Sequence, residues 1–287
     1  MNNSDVKYEK EELYYYTSLN TLQTILQKKT ARLTDYRFLN DTQELLFATK
    51  QLKDYLVENN ISETTAKILN VVKNVENGKI QNFIFEGQVE ENPIVFPTIC
   101  DASYYVMSLS HSRDDLMMWK MYAPEGCCLK FNSKKFFEFF YSFRDNHFIK
   151  GLDNIIRGDV SYGPDYNVNE WVNIISSPDL QLMLYYQVLN YCLRRKDTPF
   201  AFEQEYRIAI PFIENYLDNS CSREFIIGNT MVKPQIELKN FPITEILEEV
   251  IISPFIKSEM TYLGIRELLK AHNISPNIVH ESNILIR

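Results

Sequence analysis

Residues 205–210 alternate with a period of two. Tyr206, Ile208 and Ile210 point one way, and Glu205, Arg207 and Ala209 point the other. A segment of this kind is a β-strand with one apolar face, and that face needs partner strands and a layer of helices to cover it. The chain supplies both. Residues 13–16, 31–33, 104–110 and 127–131 read as further short strands, and segments of helical period lie between them. No stretch rich in Gly, Ser or Pro marks a linker, and no internal period of the solenoid type is found; with 8 Gly and 11 Pro in 287 residues, a loop-rich or repeat-built architecture is disfavoured. The expectation is a single domain over 1–287 in the α/β class, of the α+β type. It has a central, split, largely antiparallel sheet, surrounding helices and a cleft between the two halves.

The local signals are specific. Ser18 suits an N-cap, ahead of a helix with Leu19, Leu22, Ile25 and Leu26 on one face. A second helix carries Leu45, Leu46, Leu52 and Leu56. Residues 61–92 are helical and then polar, which reads as an insertion or a lid. Ser112 or Asp114 is expected to cap a short helix bearing Leu116, Met117, Trp119, Lys120 and Tyr122. With the strands on either side, this makes a hairpin-like strand–helix–strand unit. Phe136, Phe137, Phe139 and Phe140 form an aromatic helix. Pro178 stands where N1 of a long helix running to about Lys196 belongs. The C-terminal part reads strand, helix, strand over 249–253, 259–271 and 277–286.

A formal net charge of −8 argues against a broad electrostatic grip on nucleic acid. The sharpest basic run is Arg194, Arg195 and Lys196, read as a helix end where cations offset the dipole. The cysteines, Cys100, Cys127, Cys128, Cys192 and Cys221, are odd in number and form no CxxC pair, so neither a disulfide framework nor a zinc site is indicated. His111, His147, His272 and His280 lack metal-ligand spacing, and no metal is expected. The polar N-terminus has no apolar core of the signal-peptide kind, and no apolar run reaches spanning length. The expectation is a cytoplasmic protein without a membrane partner.

Four blocks, in order, resemble the bacterial family known as domain of unknown function 2971. They are Leu13-Tyr14-Tyr15-Tyr16-Thr17-Ser18 with Phe38-Leu39-Asn40-Asp41 and Glu44; Met107-Ser108-Leu109-Ser110 continuing to Trp119, Tyr122, Gly126 and Phe131; Phe202-Glu203-Gln204-Glu205-Tyr206-Arg207; and Val250-Ile251-Ile252-Ser253-Pro254 with Ser282, Ile284 and Arg287. Two positions depart from the family pattern. Thr42 stands where Pro is frequent, and Tyr15 where His or another polar residue is frequent.

A shorter resemblance is to ADP-ribosyltransferase toxins that act on DNA. It rests on the Tyr-x-Tyr-Thr strand at 14–17, the Leu22/Ile25/Leu26 helix after it, and a late strand whose Glu, here Glu205, precedes an apolar alternation. This resemblance implies NAD as substrate and a nucleotide ligand, with a macromolecular acceptor, nucleic acid or protein, left unspecified. It implies transfer of ADP-ribose or NAD cleavage, in a toxin or anti-phage defence effector. In such chemistry the nicotinamide–ribose bond breaks through an oxocarbenium-like state, and a carboxylate stabilises the developing positive charge. Glu205 is the implied catalytic carboxylate, beside Arg207, and Glu203 is either an acceptor-orienting partner or plain surface. Tyr16 and Thr17 would grip the cofactor, with Tyr15 in place of the polar residue.

Each assignment has a structural counterpart. Three tyrosines in a row also make an ordinary half-buried strand. Asp41 with Glu44 has the geometry of a capping box, with Asn40 in the preceding turn, and the same loop suits the edge of a site. Ser108 and Ser110 share one strand face. Trp119 and Tyr122, neighbours on a helix, suit a wall for a planar ring and equally a piece of core. Two rival functions follow: a non-catalytic nucleotide- or protein-binding module, and a metal-dependent nuclease built on Asp41, Glu44, Asp101 and Glu205.

Overall fold

The computed structural model describes residues 12–39, 43–59, 63–76, 82–83, 100–147, 155–164, 168–175, 184–213, 220–227 and 231–286. The chain opens with β1 (Leu13–Ser18), α1 (Leu19–Lys28) and β2 (Thr30–Asp35), followed by α2 (Gln43–Glu58), α3 (Glu63–Glu76) and β3 (Asn82–Phe83). Next come β4 (Cys100–Ser110), α4 (Leu116–Tyr122), β5 (Gly126–Phe131), α5 (Ser133–His147), β6 (Ile156–Asp159) and β7 (Ser161–Tyr162). Then α6 (Val168–Ile175), α7 (Leu184–Leu193) and β8 (Arg195–Lys196) lead through a 3-10 turn, Thr198–Glu203, into β9 (Glu205–Ile213). The chain closes with β10 (Cys221–Ile227), β11 (Val232–Lys239), α8 (Ile243–Ile246), β12 (Leu247–Ile252), α9 (Glu259–Ala271) and β13 (Val279–Glu281).

One large sheet organises the molecule, in the order β10-β11-β2-β4-β1-β5-β12-β13. Its pairings are antiparallel except for β12 with β13. β9 runs antiparallel along β4 from Ala102↔Ile213 to Ser110↔Glu205. A strand has only two edges, so β2 and β1 share the other edge of β4. β2 holds it at Tyr105 and Val106, and β1 reaches it at a single register pair, Tyr14↔Ser110. Continuing that register would bring Ser18 opposite Val106, a place that Thr34 of β2 already holds. The strands therefore part beyond Tyr14, while β1 stays paired with β5 from Leu13↔Phe131 to Ser18↔Gly126.

Helices cover both faces. On one face Leu13, Met107, Leu109, Ile208 and Phe131 meet Leu22 and Ile25 of α1, Phe136 and Phe140 of α5, and Leu269 of α9. Phe131 and Phe136 stack at 5.5 Å between ring centroids. Each such buried ring contributes on the order of 1.5–3 kcal/mol over leaving it exposed. The other face carries two separate apolar clusters. Tyr104, Val106 and Ala209 pack with α2, α3 and α7 through Leu52, Ile68, Val72 and Leu189. Tyr14, Tyr16, Cys128 and Ile251 pack under Met118 and Trp119 of α4.

Several expectations change. The mixed α/β class and a large, mostly antiparallel sheet hold, but both faces of β9 are covered, so Glu205 and Arg207 do not face away from a core. α3, the helical part of 61–92, is a wall of the second core and not a lid, because Ile68, Val71, Val72 and Val75 are all buried; residues 84–99 lie outside the described set. Ser18 does cap α1, its hydroxyl accepting from Thr21 N at 3.1 Å. α4 is capped by Asp115, not Ser112 or Asp114, with Oδ1 accepting from the amides of Met117 and Met118. β4 and β5 do not pair as a hairpin, since β1 lies between them. Arg195 and Lys196 form β8 and are buried, so they are not the solvated end of α7, and Leu46 is exposed. Pro178 lies outside the described residues. Among the described residues no helix is long and apolar enough to cross a membrane.

Gly126 sits where β5 meets the start of α1. A Cβ there would come within 2.0 Å of the Thr17 carbonyl oxygen, a backbone atom that cannot swing aside. Gly126→Ala is expected to cost stability at the top of the roughly 1–3 kcal/mol range of overpacking. Urea denaturation checks it, as a lower midpoint with an unchanged slope.

Candidate functional site

Between the two apolar clusters of the second face runs a polar seam. Cross-strand partners point to the same side of a sheet. The pairs Tyr14↔Ser110↔Glu205 and Ser108↔Arg207 thus place Ser108, Ser110, Glu205 and Arg207 together on that face. Ser108 is exposed and Tyr122 half-buried, whereas Ser110, Glu205 and Arg207 are buried.

The chain enters β9 through a tight reversal. The 3-10 turn Thr198–Glu203 starts on Asp197, whose carboxylate accepts from Thr198 N at 2.7 Å. It ends on Gln204 with φ 41°, a left-handed conformation that costs a non-glycine residue energy. This kink carries both Glu203 and Glu205 into the seam. Arg207 grips Glu205 in a fork, Nε to Oε1 at 2.7 Å and Nη2 to Oε2 at 2.9 Å, and its Nη1 donates to Leu193 O at 2.8 Å. Lys196 Nζ lies 2.9 Å from Glu205 Oε2 and 2.5 Å from Glu203 Oε2, bridging the two carboxylates. Tyr122 donates its hydroxyl to Glu203 Oε1. Ser110 donates to Glu203 O at 2.6 Å, and Glu205 N donates to the Tyr162 hydroxyl at 2.7 Å.

The two carboxyls are driven apart in acidity. Burial pushes Glu205 up, but Arg207 and then Lys196, helped by a Ser108 hydrogen bond, outweigh it and hold the group at about 2. Burial and the adjacent Glu205 charge raise Glu203 more than Lys196 lowers it. Burial, followed by the bond to Glu203, raises the Tyr122 hydroxyl, which therefore stays protonated as the donor. A carboxylate held ionised down to low pH beside one that takes a proton more readily is an arrangement that can separate electrostatic from acid–base roles.

The seam gathers some of the expected residues and leaves others elsewhere. Glu205, Arg207, Ser108, Ser110 and Tyr122 are together. Tyr16 lies on the same face, but its hydroxyl pins the loop before α4, donating to Ser112 O at 3.0 Å and accepting from Asp115 N at 3.1 Å. Tyr15 and Thr17 alternate to the opposite face, where Tyr15 stacks on Phe131 at 6.2 Å and Thr17 is buried. Trp119 is fully buried, edge-on to Tyr16 with its Nε1 donating to Asp114 at 2.6 Å, so it is core and not a wall for a ring. Asn40 and Asp41 lie outside the described residues, as do the side chains of Glu44 and Asp101. Among the described residues no group of three or more His, Cys, Asp or Glu is placed to hold a metal ion. Reasoning from the sequence missed Lys196, Tyr162 and the burial of Glu203. The available signal was the balance of charge around 195–207, where Arg195, Lys196 and Arg207 flank Glu203 and Glu205.

A family model described as a protein of unknown function (DUF2971) matches residues 118–208, in line with the resemblance noted above. The matched span runs from α4 to β9 and so contains Tyr122, Lys196, Glu203, Glu205 and Arg207, while β1 and β4 fall outside it. No curated protein and no solved structure matches the chain.

Glu205→Gln leaves Arg207 and Lys196 buried against a neutral amide, an expected loss of about 3–5 kcal/mol. Because the folded Glu205 sits at about 2 against an ordinary 4.5, its stabilisation is complete above 4.5 and fades as pH falls through 2. Glu203, raised in the fold, acts with the opposite sign, contributing below its ordinary value and losing that contribution as pH rises. Urea titrations over a pH series are expected to show the gap between wild type and Glu205→Gln level above about pH 5 and closing towards pH 2.

Proposed function

We propose that the chain is an ADP-ribosyltransferase-like domain that takes NAD as substrate and acts on its nicotinamide–ribose bond at the seam. The observation that supports this reading is a carboxylate, Glu205, held ionised next to exposed Ser108, with Glu203, to which half-buried Tyr122 donates, joined to it through Lys196. The balanced reaction is NAD plus an acceptor carrying a proton, giving the ADP-ribosylated acceptor, nicotinamide and a proton; with water as acceptor it is NAD cleavage. Fixed negative charge at Glu205 favours the positive charge that develops on the ribose as that bond lengthens. Arg207 and Lys196 hold this carboxylate rigid and ionised, so no reorganisation is required of it during the reaction. Glu203, more readily protonated and bonded to Tyr122, is the group suited to orient an acceptor and receive its proton. Ser108 and Tyr122 form the accessible rim that meets the substrate.

A second reading has its own observation. Both oxygens of Glu205 already accept from cations, which suits a clasp that shapes a nucleotide- or protein-binding surface without turnover. The nuclease reading has only Glu205 of its four carboxylates placed, since Asp41 and the side chains of Glu44 and Asp101 lie outside the described residues.

Free nicotinamide released from NAD separates the two. The measurement is made on wild type, Glu205→Gln and Tyr122→Phe, each at a temperature where circular dichroism shows it folded. The transferase reading expects release by wild type and a fall of roughly 100-fold or more in Glu205→Gln. Saturable NAD binding without release sinks it in favour of the clasp.

A further inference from the structure

The basic run Arg194, Arg195 and Lys196 divides its charges among three places. Lys196 is taken up by the seam. Arg195 is buried, with its guanidinium over the Tyr191 ring at 4.8 Å and Nη1 donating to Arg194 O at 3.1 Å. Arg194 is left with one hydrogen bond, Nε to Asp159 O at 3.2 Å, and it joins no ion pair among the described residues. Its guanidinium is nonetheless held in place. Gly158, at φ 135°, opens the space that it fills: a Cβ there would come within 2.9 Å of Cζ and 3.0 Å of Nη2. With Nε committed to the main chain, the two Nη groups remain as donors. Burial, and then the like charge of Arg195, make this guanidinium less basic than an ordinary arginine. The Asp159 carboxylate, which attracts it, is bonded to His111 Nε2 at 2.7 Å.

The flank of α7 that leads to Arg194 carries a second unused group. Tyr186, Asn190 and Arg194 follow one another at intervals of about a turn, so they share one flank. Its two ends are moored at the two ends of β6: the Tyr186 hydroxyl donates to Ile155 O at 3.3 Å, and Arg194 to Asp159 O. Asn190 stands between them. Its Oδ1 is buried with no hydrogen-bond partner, which costs stability unless something completes it. No bond fixes which end of this amide faces inward, so its Nδ2 donors can be turned there instead. On the other face of β6, Arg157 also lacks a carboxylate partner, and its guanidinium lies over the Tyr141 ring at 4.8 Å. Two cations without counter-charges, a planar fork with free donors and a buried amide together complement a doubly charged oxyanion. A phosphate group supplies both charges and the acceptor oxygens, whereas a carboxylate supplies one charge.

We propose that Arg194 and the Asn190 amide form a phosphate-binding site at the junction of α7 and β6, separate from the seam. The ligand is a phosphate group, either free or carried by a nucleotide. This inference does not depend on the proposed chemistry of the seam.

The test is calorimetric titration of the full chain with inorganic phosphate, and with acetate at matched ionic strength. Saturable binding of phosphate at one site, and none of acetate, is expected. Arg194→Gln is expected to weaken phosphate binding by roughly ten-fold or more, and Arg194→Lys, which keeps the charge but not the fork, by less. Asn190→Leu separates a binding role from a structural one. It removes the unpaired buried carbonyl, so its urea midpoint is expected to rise while its phosphate affinity falls. Adenosine monophosphate and adenosine tell the two sources apart. Tighter binding of the monophosphate than of phosphate, with adenosine inert, identifies a nucleotide phosphate, and equal binding identifies a free one. No saturable phosphate binding up to about 10 mM overturns the proposal. So does phosphate binding indifferent to Arg194→Gln, acetate binding as tight as phosphate, or an Asn190→Leu chain that gains stability and keeps its phosphate affinity.

Discussion

Burying two carboxylates beneath a sheet that is covered on both faces is possible only because Lys196 and Arg207 are buried with them. An isolated ion in such a place is strongly unfavourable, and a pair is tolerated when geometry and hydrogen bonds are nearly complete. Here the fork from Arg207, the bridge from Lys196 and the hydroxyl of Tyr122 complete them. The network ties β8, the turn before β9, β9 itself and α4 together. It also fills the gap between the two apolar clusters of the second face, so the two helical layers above that face are not one continuous core.

The geometry of β4 explains why such a gap exists. β2 and β1 compete for one edge of β4, and β2 takes its middle, so β1 touches it only at Tyr14↔Ser110. The sheet is joined there by a single pair and diverges beyond it. Helices that pack on either half leave Ser108 uncovered at the junction. An exposed hydroxyl over a buried, ionised carboxylate is the feature of this molecule that most invites a ligand, and it arises from strand competition and not from any local motif.

Local physics made much of the fold legible. The period-two run at 205–210, the capping serine before α1 and the aromatic spacing of α5 each appear as expected, because each depends on residues within a few positions of one another. Elements whose partners are distant in sequence were harder to read. Asp115, not its neighbours, caps α4, because Tyr16 takes the amide of Asp115 and Trp119 the carboxylate of Asp114. Arg195 and Lys196 looked like a solvated helix end, yet β7 pairs with them and draws them into the interior. Residues 61–92 read as an insertion or a lid because a polar stretch follows the helix, but the Ile and Val residues of α3 meet α2 and α7.

By itself the sequence determined that this chain is a mixed α/β protein with a mostly antiparallel sheet, since alternation and helical period act over short range. It also determined that Glu205, Arg207, Ser108 and Ser110 share a strand face with others of their parity. Only the tertiary structure decided that both faces of β9 are buried, that Lys196 and Glu203 join Glu205 and Arg207, and that Tyr15 and Thr17 turn away from them. The reason is physical. Parity along a strand is set by the pleat, but which face meets solvent, and which charges meet each other, is set by strands and helices that approach from tens of residues away.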